Sequence, residues 1–224
     1  MTMPPHTNPI CFRNCGLYLI SDEEMIARGT FLPFLESALM AGLRLIQLRV
    51  KHLSESELKA LGREVRRLTR EHGARFILND RPELAVELDA DGVHVGQDDL
   101  PPAEARKIIG AERILGLSTH NREQILAAQQ EPVDYIGVGP VFATGTKLNA
   151  SPVTGLELLT WAVGHSRLPL VAIGGISFEN IDQVLATDCK NAAVISVISR
   201  AGNPIATLQK FQEQFFEARR EHGV

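Results

Sequence analysis

Cysteine is scarce in this chain. The three cysteines among 224 residues, Cys11, Cys15 and Cys189, cannot all pair and give no even disulfide framework, so a reducing, cytoplasmic compartment is expected. Cys11-x-x-x-Cys15 near His6 resembles half of a metal clip. No second ligand pair follows, so two incidental thiols in a tail are the plainer reading. Surplus positive charge is missing too: 23 Lys and Arg against 27 Asp and Glu leave a net charge of −4, which argues against a general nucleic-acid surface. No apolar run approaches the ~18 residues that a membrane span needs. Residues 1–15, interrupted by Pro4, Pro5 and Pro9, lack the apolar core of a signal peptide and are expected to form an N-terminal extension. No G-x-G-x-x-G fingerprint follows the first apolar run, and no linker or low-complexity stretch divides residues 16–224.

What is present is a recurring unit. Short Val-, Ile- and Leu-rich runs are expected as strands at Leu17–Ile20, Leu45–Val50, Arg75–Leu78, Gly92–Val95, Ile114–Leu117, Tyr135–Val138, Leu170–Ile173 and Ala192–Ile198. Helical patterns lie between them, the clearest over Phe31–Ala41, Ser54–His72, Ala103–Ile109, Arg122–Gln130, Leu156–Val163, Ile181–Ala186 and Pro204–Arg220. Ser54-Glu55-Ser56-Glu57 is a capping box, and Gly42 and Gly73 stand where helices should stop. This alternation predicts a single-domain (β/α)8 TIM barrel over residues 16–224, with a doubly wound open sheet as the alternative.

The strand ends carry the chemistry. In Leu45–Lys51 side chains alternate, so Ile46, Leu48 and Val50 face the helices while Gln47, Arg49 and Lys51 face the barrel interior and its mouth. Two cations there need an acidic partner or an anionic ligand; a phosphate or pyrophosphate suits them, and an internal salt bridge is the structural alternative. Asn79-Asp80 and Gln97-Asp98-Asp99 bring carboxylates to the same rim, where they either neutralise the cations or hold Mg²⁺ against a pyrophosphate. One of Asp98 and Asp99 can instead cap the next helix. His94 is expected as a packed, hydrogen-bonded core histidine. Ser118-Thr119-His120 follows the fifth strand, with Ser118 and Asn121 as rival caps of the next helix. Thr144-x-Thr146-Lys147 lies on a long loop suited to close over an anion. Gly174-Gly175 and Ser196-x-x-Ser199 end the last two strands, the corner where such barrels commonly bind a phosphomonoester. No Ser/His/Asp triad follows from these spacings.

Taken together, Gln47–Lys51, Asn79-Asp80, Gly92–Asp99, Gly116–His120, Gly137–Lys147, Ala172–Ile176 and Val194–Ile198 resemble the thiamine-phosphate synthase family, in the family's order and over nearly the whole chain. The resemblance implies a transferase that joins hydroxymethylpyrimidine pyrophosphate to a thiazole phosphate and releases pyrophosphate. It implies one Mg²⁺ held by Asp80 and Asp99. Gln47, Arg49, Lys51, Asn79, Ser118 and Lys147 match groups around the pyrimidine pyrophosphate; Thr144, Thr146, Gly174, Ile195 and Ser196 match groups around the thiazole phosphate. Arg49, Lys51, Ser118 and Lys147 are thereby the expected catalytic residues. The partners implied are these small molecules, with no nucleic acid and no membrane. One departure stands out: Asp188-Cys189-Lys190-Asn191 replaces the family's Gly-Ala-Asp-Gly-like turn, so Asn191 is expected to accept a strained turn position. A metal-free thiazole tautomerase using His120 is the rival within the same fold, and a non-catalytic phosphate-ligand barrel is the rival outside enzymes. Asn79, Asp80, Asp99 and Lys147 favour the synthase, because neither rival needs them.

Overall fold

The computed structural model describes residues 12, 14–144 and 152–221. Eight parallel strands close into a barrel in sequence order. Its elements are β1 (Gly16–Ile20), α1 (Glu23–Ala27), α2 (Phe31–Met40), β2 (Leu45–Leu48), α3 (Glu55–Glu71), β3 (Arg75–Asn79), α4 (Pro82–Glu87), β4 (Gly92–Val95) and α5 (Pro102–Ile109). They continue with β5 (Ile114–Thr119), α6 (Arg122–Ala128), β6 (Tyr135–Val138), α7 (Gly155–His165), β7 (Leu170–Ile173), α8 (Ile181–Leu185), β8 (Asn191–Val194), α9 (Ser196–Ser199) and α10 (Pro204–Glu221). The (β/α)8 architecture expected from the alternation is the one observed.

Strand alternation divides the apolar residues into two cores. Ile46, Leu48, Phe76, Leu78, Val93 and Val95 point outward and pack beneath the helices. Tyr18, Ile20, Leu45, Ile77, Ile114, Tyr135, Val171 and Ala193 point inward and fill the barrel. The helix pattern behaves as its sequence requires. Ser54 and Glu57 form the reciprocal capping box of α3, and Leu58, Val65 and Leu68 turn one face of that helix into the core. Gly73 follows its C-cap at φ +63°, a left-handed position that a Cβ would disfavour.

Two local expectations are corrected. The eighth strand stops at Val194 rather than Ile198, and Ser196–Ser199 form a helical turn. Its pairing partners run out there, since Leu19 opposite Val194 is the last residue of β1 in that ladder, and the alternation of Val194–Ile198 could not reveal this. The strained position in the departing turn is taken by Asp188 at φ +70°, whereas Asn191 begins β8. The buried Asn191 side chain accepts from the N–H groups of Cys15 (2.7 Å) and Gly16 (3.1 Å) and donates to the carbonyls of Phe12 (2.6 Å) and Leu170 (2.8 Å). Pro82, beyond the end of β3, stands at the first turn of α4, where a missing N–H costs nothing.

Asn191 thus ties residues from the expected N-terminal extension to the lower end of the barrel. Phe12, fully buried there, stacks on Tyr135 with ring centroids 3.7 Å apart and meets Tyr18 edge-on at 5.7 Å. The upper end, where the strands finish, is left for the polar clusters.

Candidate active site

The cationic strand end is held by a neighbour. Ser21, just past β1, grips Arg49 through both backbone groups: its Oγ accepts from Arg49 N (2.8 Å) and donates to Arg49 O (3.0 Å). This extends the line of β2 beyond Leu48, so Arg49 continues the inward alternation begun by Leu45 and Gln47. Glu23, the first residue of α1, is the acidic partner of this strand end. Its carboxylate lies 3.7 Å from Arg49 Nη1, accepts from Lys51 N (3.2 Å) and lies 3.4 Å from His52 Nε2. Asp22 caps α1 by accepting from Glu24 N (2.8 Å) and takes a hydrogen bond from Ser199 Oγ (2.6 Å), joining α1 to α9. The Ser21-Asp22-Glu23 run was missed at the level of sequence. The signal was available, because it is the polar cluster that ends the first strand.

Opposite Arg49 and Lys51 stand two carboxylates. Asp80 follows β3 in a left-handed backbone conformation at φ +61°, and its N–H is bonded to the His94 carbonyl (2.8 Å). Asp is among the non-glycine residues that tolerate that region. Asp99 is drawn back toward the barrel by a hydrogen bond from Gly96 N to its Oδ2 (2.8 Å). Neither Asp98 nor Asp99 caps α5, whose N-cap is Pro101 with no side-chain hydrogen bond. Burial, a hydrogen bond with Asp99 and the repulsion of its charge raise the Asp80 pKa to about 6, against the lowering pull of Lys51 and Arg49. The Asp80 carboxyl, buried beside Asp99, is short of positive charge. Among the described residues no cluster of three or more His, Cys, Asp or Glu side chains is placed to hold a metal. A carboxylate pair still suits Mg²⁺, which keeps waters and takes further oxygens from substrate phosphates.

The interior below this rim is polar. Asn79 ends β3 paired with His94 on β4. His94 Nε2 lies 2.9 Å from Ser118 Oγ, and its Nδ1 lies 2.9 Å from Tyr135 Oη. Tyr135 Oη is in turn 3.1 Å from Tyr18 Oη, which accepts from Gln47 Nε2 (2.9 Å). Asn121 is the side-chain cap of α6, which leaves Ser118 to the interior. Gln97 Nε2 donates to the Ser118 carbonyl (2.6 Å). His120, the residue the rival tautomerase would use, is held through Nδ1 by the Gly139 carbonyl.

The final corner is built by close backbone approach. Val141 N and Phe142 N donate to the carbonyls of Ile173 (2.9 Å) and Gly174 (3.0 Å), so the loop after β6 lies against the end of β7. Gly174 (φ +98°) and Gly175 (φ +63°) leave no room for a Cβ, which would stand 2.5 Å from Pro140 Cβ and 2.4 Å from the Ala143 carbonyl oxygen respectively. Half-buried Thr144 follows this docked stretch. Ile195 packs on the inner core and Ser196 opens α9 beside it. Thr146 and Lys147 lie outside the described residues.

One rim therefore gathers cations, a carboxylate pair and a glycine-lined corner, with the Ser118 hydroxyl bonded to His94 Nε2 below it. Such an arrangement of charge suits highly charged phosphates. A family model described as thiamine monophosphate synthase matches residues 17–198. The chain is 40% identical over 200 residues to the thiamine-phosphate synthase of Methanospirillum hungatei, covering 89% of this chain and 97% of that protein. It is 39% identical over 198 residues to that of Syntrophomonas wolfei, covering 88% and 95%. Among solved structures, thiamine phosphate pyrophosphorylase from Pyrococcus furiosus is similar at a TM-score of 0.83 and 34% identity, covering 92% of this chain and 98% of that one.

Proposed function

The chain belongs to the thiamine monophosphate synthase family and is a transferase of thiamine biosynthesis; from that premise we propose that it joins 4-amino-2-methyl-5-hydroxymethylpyrimidine pyrophosphate to thiazole phosphate at the rim of β2–β8. The observation that carries the reading is the Asp80–Asp99 pair facing Arg49 and Lys51. Asp80 and Asp99 would hold one Mg²⁺, which when bound neutralises the pyrophosphate and relieves the carboxylate pair. Arg49, Lys51 and Lys147 bind the remaining pyrophosphate oxygens, and Glu23 yields Arg49 to that anion. The carbon–oxygen bond to pyrophosphate breaks with both electrons leaving on oxygen. The resulting pyrimidinylmethyl cation is captured by the lone pair of the thiazole nitrogen, which closes the new carbon–nitrogen bond. No proton transfer is required for this step.

Gln47, Asn79 and Ser118 line the interior beneath the pyrimidine, while Thr144, Thr146, Gly174, Ile195 and Ser196 take the thiazole phosphate. Apolar Ile20, Ile173 and Ile195 around the mouth keep water from the cation. The scarcity of cysteine and the burial of Cys189 suit a reducing, cytoplasmic setting. Thiamine phosphate formation with both substrates and Mg²⁺ tests the reading. Turnover by wild type and a loss of about 10²-fold or more in Asp80→Ala, with the fold intact, is expected. A well-folded wild type that forms no product would overturn it.

A further inference from the structure

The rim closes on itself where β1 lies beside β8, a ladder whose last pair is Leu19 and Val194. Just beyond it, Asp22 and Ser199, 177 residues apart in sequence, are joined by a hydrogen bond of 2.6 Å from Ser199 Oγ to Asp22 Oδ2. Asp22 is buried and its backbone is extended, at φ −98° and ψ 123°. Successive side chains alternate along such a segment. Ser21 and Glu23 on either side accordingly address Arg49, whereas Asp22 addresses α9. Its other oxygen, Oδ1, accepts from Glu24 N (2.8 Å) and Met25 N (3.3 Å) at the start of α1. One carboxylate thus holds α1 with one oxygen and α9 with the other.

That hold matters to α9. Ser196–Ser199 make a single helical turn, and so short a helix is not stable through its own hydrogen bonds. Those bonds run from Ser199 N to Ile195 O (3.3 Å) and from Arg200 N to Ser196 O (3.0 Å). Buried Ile198 seats the turn in the outer core. Apolar burial is non-directional, so it fixes the depth of the turn and leaves its rotation open. Ser196 and Ser199, spaced i and i+3, lie on one face of the turn. A directional bond to Ser199 therefore also sets the way Ser196 points. We infer that Asp22 and Ser199 are positioning residues for the thiazole phosphate: their hydrogen bond sets the rotation of α9 and with it the places of Ile195 and Ser196. This rests on the proposed placement of those two residues at that phosphate.

A double-mutant cycle tests it. Ser199→Ala removes the tie and leaves the cap of α1 intact. It is expected to raise the KM for thiazole phosphate about 10-fold, the lower end for a hydrogen bond to a charged group, and to leave the KM for the pyrimidine substrate unchanged. Asp22→Asn keeps an oxygen for the cap, where Asn serves as well as Asp, and turns an N–H toward Ser199 Oγ. Both KM values are expected to stay within about threefold of wild type in that variant. In an Asp22→Ala background, Ser199→Ala is expected to add no further loss. Equal rises for both substrates in Ser199→Ala, no rise in either, or additive losses in the double variant would overturn the inference. Backbone hydrogen exchange at Ser199 and Arg200, followed in substrate-free protein, reads the tie directly. Faster exchange in Ser199→Ala, restored to the wild-type rate in Asp22→Asn, is expected; unchanged exchange in Ser199→Ala overturns it. That readout is independent of turnover, so a failed synthase assay and a failed inference remain distinct.

Discussion

Asp80 is the residue whose chemistry is most displaced by its surroundings. Its pKa stands at about 6, above the unperturbed carboxylate value, chiefly because of burial and then because of Asp99. Folding therefore favours the protonated form. That contribution to stability is fully present below about pH 4, the unfolded carboxylate range, and is lost as pH rises through about 6. Metal-free Asp80→Asn is accordingly expected to melt at a higher temperature than wild type at pH 7.5 and at the same temperature near pH 4, which paired melting curves will check. Mg²⁺ held by Asp80 as proposed would compete with the Asp80 proton, so its affinity is expected to rise about tenfold per pH unit up to about pH 6 and then level, as calorimetric titration would record. At the other side of the rim, Glu23→Gln removes the resident partner of Arg49. Tighter inorganic pyrophosphate binding, by about 2- to 5-fold for an exposed pair, is the expected result in a binding titration, and weaker binding would show that Glu23 orients Arg49 instead of competing for it.

The elements that position these residues are short, and their ends decide the site. Gly174 and Gly175 let the loop after β6 dock on β7 with backbone spacing that no side chain permits. Gly175→Ala is expected to raise the KM for thiazole phosphate at least about 10-fold while sparing that for the pyrimidine substrate, in steady-state assays, because the Cβ meets the Ala143 carbonyl in a left-handed turn. The placement of strand-end residues was legible at β2, where alternation sends Gln47 and Arg49 inward, and at β3 and β4, whose ends bring Asp80 and Asp99 together. It was illegible at β8, where the apolar run continues past Val194 although the ladder ends. The partner of His94 was equally hidden. Tyr135 is 41 residues away in sequence, and only the side-by-side pairing of β4, β5 and β6 lets it reach across Gly116.

At the scale of the whole molecule, the repeated strand–helix unit declared the barrel, because eight apolar runs covered on both faces have few other ways to close. What it did not declare is how the lower end is sealed. Phe12 and Asn191 form that seal, and neither looks distinctive in a proline-broken segment or an atypical turn. Phe12→Ala is expected to destabilise the fold by about 3–5 kcal/mol, the usual range for emptying a buried phenylalanine site, as read by denaturant titration. Seal, polar row and charged rim then stand in order from the bottom of the barrel to its mouth.

The central claim is that the rim ionises a pyrophosphate for attack by a second substrate. Pyrophosphate release, followed with each substrate alone and with both, with and without Mg²⁺, tests it most directly. The account expects sustained release only when both substrates and Mg²⁺ are present, abolished in Asp80→Ala and sharply reduced in Arg49→Ala. Release that is independent of Mg²⁺ and unaffected by either substitution, or none at all from folded wild type, would contradict it.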